Sequence, residues 1–151
     1  MPAPTMSHLI CVGALIVLIF TVQVFFLQVV DNSWAEMAKR ELKELTDYVA
    51  DTVANLYFLV NSTQEQSVVL QKTLSLPSAA AGSSYVIQIM ADGRSVKAYF
   101  VDKTWLSVSS WLPPGLTVDA VKNMSIESAE RTVIAGCSRT TTSTYVWMTY
   151  G

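Results

Sequence analysis

The chain has 151 residues, a formal net charge of −2, one histidine and two cysteines. Such a balance offers no basic surface for nucleic acid, and one His without a Cys pair leaves no zinc or transition-metal site. Charged residues are 15% of the chain, against roughly 25% in ordinary globular domains, so much of its surface is either Ser/Thr/Tyr-rich or covered by neighbours.

Residues Leu9 to Val30 read LICVGALIVLIFTVQVFFLQVV, with no charge and only Thr21, Gln23 and Gln28 as polar interruptions. About 20 apolar residues at 1.5 Å rise span a bilayer core of about 30 Å. A secretory signal has a shorter apolar stretch of roughly 7–15 residues behind a cationic segment. Here MPAPTMSH precedes the run without Lys or Arg, and Asp31, Asn32, Ser33 and Trp34 follow it without a small-residue cleavage pattern. The segment therefore reads as retained, either in a membrane or in an equally apolar helical bundle. Small residues at Cys11, Gly13 and Ala14 allow close helix approach, and Gln23 and Gln28 can hydrogen-bond across helices. Leu9, Gly13, Ile16, Phe20, Gln23 and Leu27 are the expected packing positions of that helix.

Beyond Asp31 the apolar residues become periodic. Trp34, Ala38, Leu42, Leu45, Val49, Val53, Leu56 and Val60 recur every three or four positions, the stripe of an amphipathic helix. Lys39, Arg40, Glu41, Lys43 and Glu44 fall on its solvated face. No Pro or Gly lies between Ala14 and Asn61, so one continuous helix is expected from about Thr5 to Val60, roughly 80 Å long at 1.5 Å per residue. Three regions follow: an apolar helix over 5–30, an amphipathic extension over 31–61 and a head over 67–151.

From Ser67 the composition turns to Val, Ile, Thr, Tyr and Trp in short runs, which predicts strands. The expected strands are Val68–Leu76, Tyr85–Met90, Arg94–Val101, Trp105–Ser110, Leu116–Val121, Thr132–Cys137 and Thr144–Tyr150. Ala91-Asp92-Gly93-Arg94 predicts a type I′ hairpin turn, Pro113-Pro114-Gly115 a bend, and Pro77 to Ser84 a loop. About seven short strands suggest a sandwich or small barrel, hence an α+β chain with a long N-terminal helix and an all-β head. Trp105, Trp111, Trp147, Tyr99 and Tyr145 are expected to pack in the core or on a sheet face.

Cys11 and Cys137 fall in different segments and are not expected to pair. The sequons Asn61-Ser62-Thr63 and Asn123-Met124-Ser125 make Asn61 and Asn123 candidate N-glycan acceptors. Lys39, Arg40 and Lys43, just after the apolar run, place the head in the cytoplasm by the positive-inside count. The Ser/Thr-rich head and its sequons favour an external head, which is the placement adopted.

No catalytic constellation stands out. There is no P-loop, no Gly-x-Gly-x-x-Gly and no Gly-x-Ser-x-Gly, and the head has no histidine to act as base for its serines. The expectation is a non-enzymatic protein without cofactor.

The layout resembles the archaeal type IV pilin and archaellin superfamily, in which a hydrophobic N-terminal helix carries a β-sandwich head. The opening Thr5-Met6-Ser7-His8-Leu9-Ile10 looks like the start of the archaellum accessory proteins of the F and G type. Cleaved archaeal pilins carry a basic residue and a Gly just before the run, where this chain has Thr5-Met6-Ser7-His8. The resemblance implies a subunit of a cell-surface filament, its helices packing as a homopolymer core after a membrane stage, with the surface layer or other filament components as further partners. Two alternatives stay open: a membrane-anchored accessory protein that binds the filament or surface layer, and an anchored extracytoplasmic sensor or ligand-binding domain.

Overall fold

The computed structural model describes residues 3–65, 67–118, 125–128, 132–140 and 143–151. A single helix, α1, runs over Ala3–Ser62. The chain divides into two compact units, Met1–Glu36 and Met37–Gly151. The first holds the apolar part of α1. The second, the head, comprises the rest of α1 and eight strands: β1 (Val68–Leu74), β2 (Tyr85–Ile89), β3 (Ser95–Phe100), β4 (Ser107–Trp111), β5 (Thr117–Val118), β6 (Ser125–Glu127), β7 (Val133–Arg139) and β8 (Thr144–Tyr150).

These strands form two four-stranded sheets, ordered β1-β7-β8-β5 and β4-β3-β2-β6. All pairings are antiparallel except β5 with β8. In the second sheet the register places Tyr85 opposite Phe100, Ile87 opposite Ala98 and Ile126, and Ile89 opposite Val96. All seven are buried. Strict alternation thus puts Tyr85, Ile87, Ile89, Val96, Ala98 and Phe100 on the buried face, and Val86 and Tyr99 on the half-buried one, as period-2 geometry requires. In the first sheet Ala135 faces Met148, and Cys137 faces Val146, again all buried.

The head's own segment of α1 completes this core. Ala38, Leu42, Val49, Val53, Leu56 and Val60 are buried, and Leu45 is half-buried. The stripe is wider than the apolar residues alone: Thr46 and Thr52 are buried too. The Thr46 hydroxyl donates to the Leu42 carbonyl at 2.7 Å, which satisfies its polar atom inside the core.

Polar contacts tie this segment to both sheets. Lys43 Nζ donates to the Ser109 carbonyl of β4 at 3.0 Å and pairs with Asp47 at 2.6 Å. Lys43, and after it the Ser110 hydroxyl, hold the Asp47 carboxyl below its ordinary pKa. Glu41 Oε2 accepts the Ala81 N–H at 2.7 Å, and Lys72 of β1 lies 5.9 Å from the Tyr48 ring centre. A direct link between the sheets comes from Tyr150 of β8, whose hydroxyl accepts the Glu127 N–H and donates to the Glu127 carbonyl.

Several expectations are corrected. β6 has no counterpart among the expected strands, because three residues with one apolar side chain, Ile126, carry no alternating signal. The Ala91–Arg94 turn is not type I′: Gly93 has φ 65°, but Asp92 is not left-handed. The Gly93 N–H donates to the Met90 carbonyl, and the Asp92 carboxylate accepts the Arg94 N–H. That side-chain bond favours a right-handed Asp92. Of the tryptophans expected in the core or on a sheet face, Trp105 takes neither place and Trp111 takes the sheet face; they are 73% and 81% exposed. Trp111 pairs with Ser95 on the outer face of β3 and β4, and Trp105 precedes β4. The predicted strand ends also shift: β1 stops at Leu74, β4 reaches Trp111 and β7 reaches Arg139. Residues 119–121 of the expected fifth strand lie outside the described residues.

Candidate assembly surface

In the first unit α1 presents apolar side chains in every direction. Residues 6–33 are all exposed. Leu9 is 74% exposed, Ile16 49%, Phe20 64% and Leu27 63%, and Gln23 is exposed beside them. A Cβ built at Gly13 meets no atom within 4 Å. Leu9, Gly13, Ile16, Phe20, Gln23 and Leu27 follow one another at steps of four, three, four, three and four, so they share one helix face. The Thr21 hydroxyl donates to the Val17 carbonyl at 2.8 Å, which hides the one β-branched polar group of the run from an apolar surrounding.

This surface far exceeds the apolar patch of a few hundred Å² that a soluble monomer exposes. The helix is long and apolar enough to cross a membrane by length and composition, and so can serve as an anchor. Backbone donors and acceptors are satisfied within a helix, which is what a bilayer or an apolar bundle demands. Cys11 is an exposed free thiol of this unit.

The head carries the other sequence-derived sites. Asn61 is exposed in the last turn of α1, and its Oδ1 accepts the Thr144 hydroxyl at 3.3 Å. In the same sequon the Ser62 and Thr63 hydroxyls both donate to the Leu59 carbonyl at 2.9 Å, closing the helix end. Asn123 lies outside the described residues. Cys137 is a free, fully buried thiol, pushed by that burial up to about 11.

A polar cleft of about 360 Å³ lies at the end of α1. Asn61, Gly115, Thr117, Arg139, Thr140, Ser143 and Thr144 line it. These residues come from α1, β5, β7, β8 and the connections next to the strands, so their juxtaposition is invisible in the linear chain. Among the described residues no group of three or more His, Cys, Asp or Glu is placed to hold a metal ion.

The class defined by these features is an α+β chain with a long, apolar, uncovered N-terminal helix and a two-sheet head. No known family, curated protein or solved structure matches it.

Proposed function

We propose that this chain is a non-enzymatic structural subunit of an archaeal type IV pilus-like or archaellum-like surface filament. The observation that carries the reading is the uncovered apolar helix over residues 9–30, in a chain whose head has a buried core of its own. None of the head's buried core residues comes from that segment, so its apolar surface is available to other molecules. Many copies packing along the face of Leu9, Gly13, Ile16, Phe20, Gln23 and Leu27 would bury it. Each contact is small, and the sum over a filament is large. Gly13 permits close approach, and Gln23 offers a hydrogen bond between helices of about 0.6–2 kcal/mol.

A membrane-anchored accessory protein is the second reading, favoured by the match between the 22-residue run, Leu9 to Val30, and one bilayer core. The two differ in stoichiometry and location. Electron microscopy of a shear fraction from producing cells, with mass spectrometry of the band, separates them. Thin filaments made of this chain support the subunit reading. Its absence from sheared material, with intact protein in the membrane pellet, overturns that reading in favour of the anchor.

A further inference from the structure

We propose that the polar cleft at the C-terminal end of α1 binds an acidic sugar, a pyranose ring bearing a carboxylate. This inference is independent of the filament reading. The lining supplies one cation, Arg139, with the hydroxyls of Thr117, Thr140, Ser143 and Thr144 and the amide of Asn61. Among the described residues no carboxylate lines it, so their side chains make a locally positive, hydroxyl-rich site in a chain of net charge −2. Its volume of about 360 Å³ lies at the small end of ligand clefts. Those are usually apolar with a few polar groups; a lining this polar suits a ligand that is itself a dense set of hydroxyls.

Arg139 is held ready for an anion. One guanidinium N–H donates to the Thr63 carbonyl at 3.0 Å. A guanidinium has five such donors in a rigid fork, and among the described residues no carboxylate forms an ion pair with it. Clipping the chain after α1 needs one of those donors; the remainder suit a bidentate carboxylate. The walls are fixed from behind. The Thr117 hydroxyl donates to the Thr144 carbonyl, Thr140 to the Ser143 carbonyl and Thr144 to Asn61. Each of these hydroxyl oxygens keeps lone pairs for ring hydroxyls, and the Ser143 hydroxyl can donate or accept. Gly115, at φ 93°, also lines the cleft; a Cβ there would stand 2.9 Å from the Tyr57 hydroxyl.

The test is titration of the full chain in detergent micelles, produced without N-glycosylation, with glucuronate, glucose and acetate, followed by calorimetry. Saturable glucuronate binding is expected, with glucose and acetate each at least about tenfold weaker, since each lacks half of the recognised chemistry. Arg139→Lys should weaken glucuronate about tenfold by losing the bidentate fork. Because Arg139 also holds Thr63, Ser143→Ala is the companion variant; it leaves the Ser143 carbonyl contacts intact and should weaken binding severalfold with unchanged thermal unfolding. No saturable binding, equal binding of acetate and glucuronate, or undiminished binding in both variants overturns the proposal. Two sources of the sugar are separated with protein from its own cells. If a glycan on Asn61 fills the cleft, added glucuronate binds only after Thr63→Ala removes the sequon. If the sugar comes from another surface polymer, glucuronate binds both forms; failure to bind either overturns the proposal.

Discussion

The ring of Trp147 on β8 lies directly over the backbone of Gly136 on β7, its cross-strand partner. A Cβ built at Gly136 would stand 2.2 Å from Trp147 Cζ2 and 2.3 Å from Cε2. Only a residue without a side chain lets the indole lie flat, which is how so large a group is 6% exposed on a sheet face. Gly136→Ala should therefore destabilise the head by about 1–3 kcal/mol, the usual cost of overpacking. Denaturant unfolding followed by Trp fluorescence reads the loss. Adding Trp147→Leu should recover part of it, and a strictly additive double variant would rule out this contact as the cause.

Leu42, fully buried on α1, tests whether the helix is part of the head core. Leu42→Ala should cost about 2–5 kcal/mol through lost burial and a residual cavity. Ala54→Ser, at a half-buried position of the same helix, should cost far less. Equal midpoints for the two variants in thermal unfolding would contradict the packing described here.

Ile16→Asp places a charge in the middle of the apolar run. A central Asp costs about 2.5–3.5 kcal/mol on the insertion scale, and it desolvates equally badly in an apolar bundle. Loss of the chain from both filaments and membrane pellet is expected, with the circular dichroism of the head strands retained. Filaments of normal yield from this variant would refute the role assigned to the helix.

Stability should fall in alkali. Burial lifts the Cys137 thiol from its ordinary 9.0 to about 11. The Tyr85 hydroxyl rises from 10.0 to about 12, through burial first and the nearby Glu41 carboxylate second. In both cases the folded state keeps a proton that the unfolded state releases. The contribution is therefore intact below the unfolded values and is lost as pH rises toward the folded ones. Unfolding free energy should be flat to about pH 9 and drop by roughly 2 kcal/mol or more by about pH 11. Cys137→Ala should flatten the earlier part of that decline, and thiol reagents should reach Cys137 only after unfolding.

Tyr150 joins the sheets through two bonds to Glu127, at 2.9 and 3.0 Å. Tyr150→Phe removes both and should lower stability by about 1–2 kcal/mol. Hydrogen exchange at Glu127 should accelerate by a similar free energy if this hydroxyl holds β6 in place.

The sequence by itself determined the helix and most strands, because their signals are local. An uncharged run from Leu9 to Val30, the three-four spacing from Ala38 to Val60 and the alternation of Tyr85, Ile87 and Ile89 each encode which face must leave water. Such periodicity depends only on the geometry of one element. The tertiary structure alone decided that Thr46 and Thr52 belong to the core, that Trp105 and Trp111 stay in solvent, and that Ile126 anchors a short strand beside β2. Those outcomes rest on which elements meet. The Trp147 ring needs a glycine on the neighbouring strand, and the cleft needs Asn61, Thr117, Arg139 and Thr144 brought together from positions up to 83 residues apart. No local pattern records such meetings, because they follow from strand order and from the way the end of α1 docks against β8.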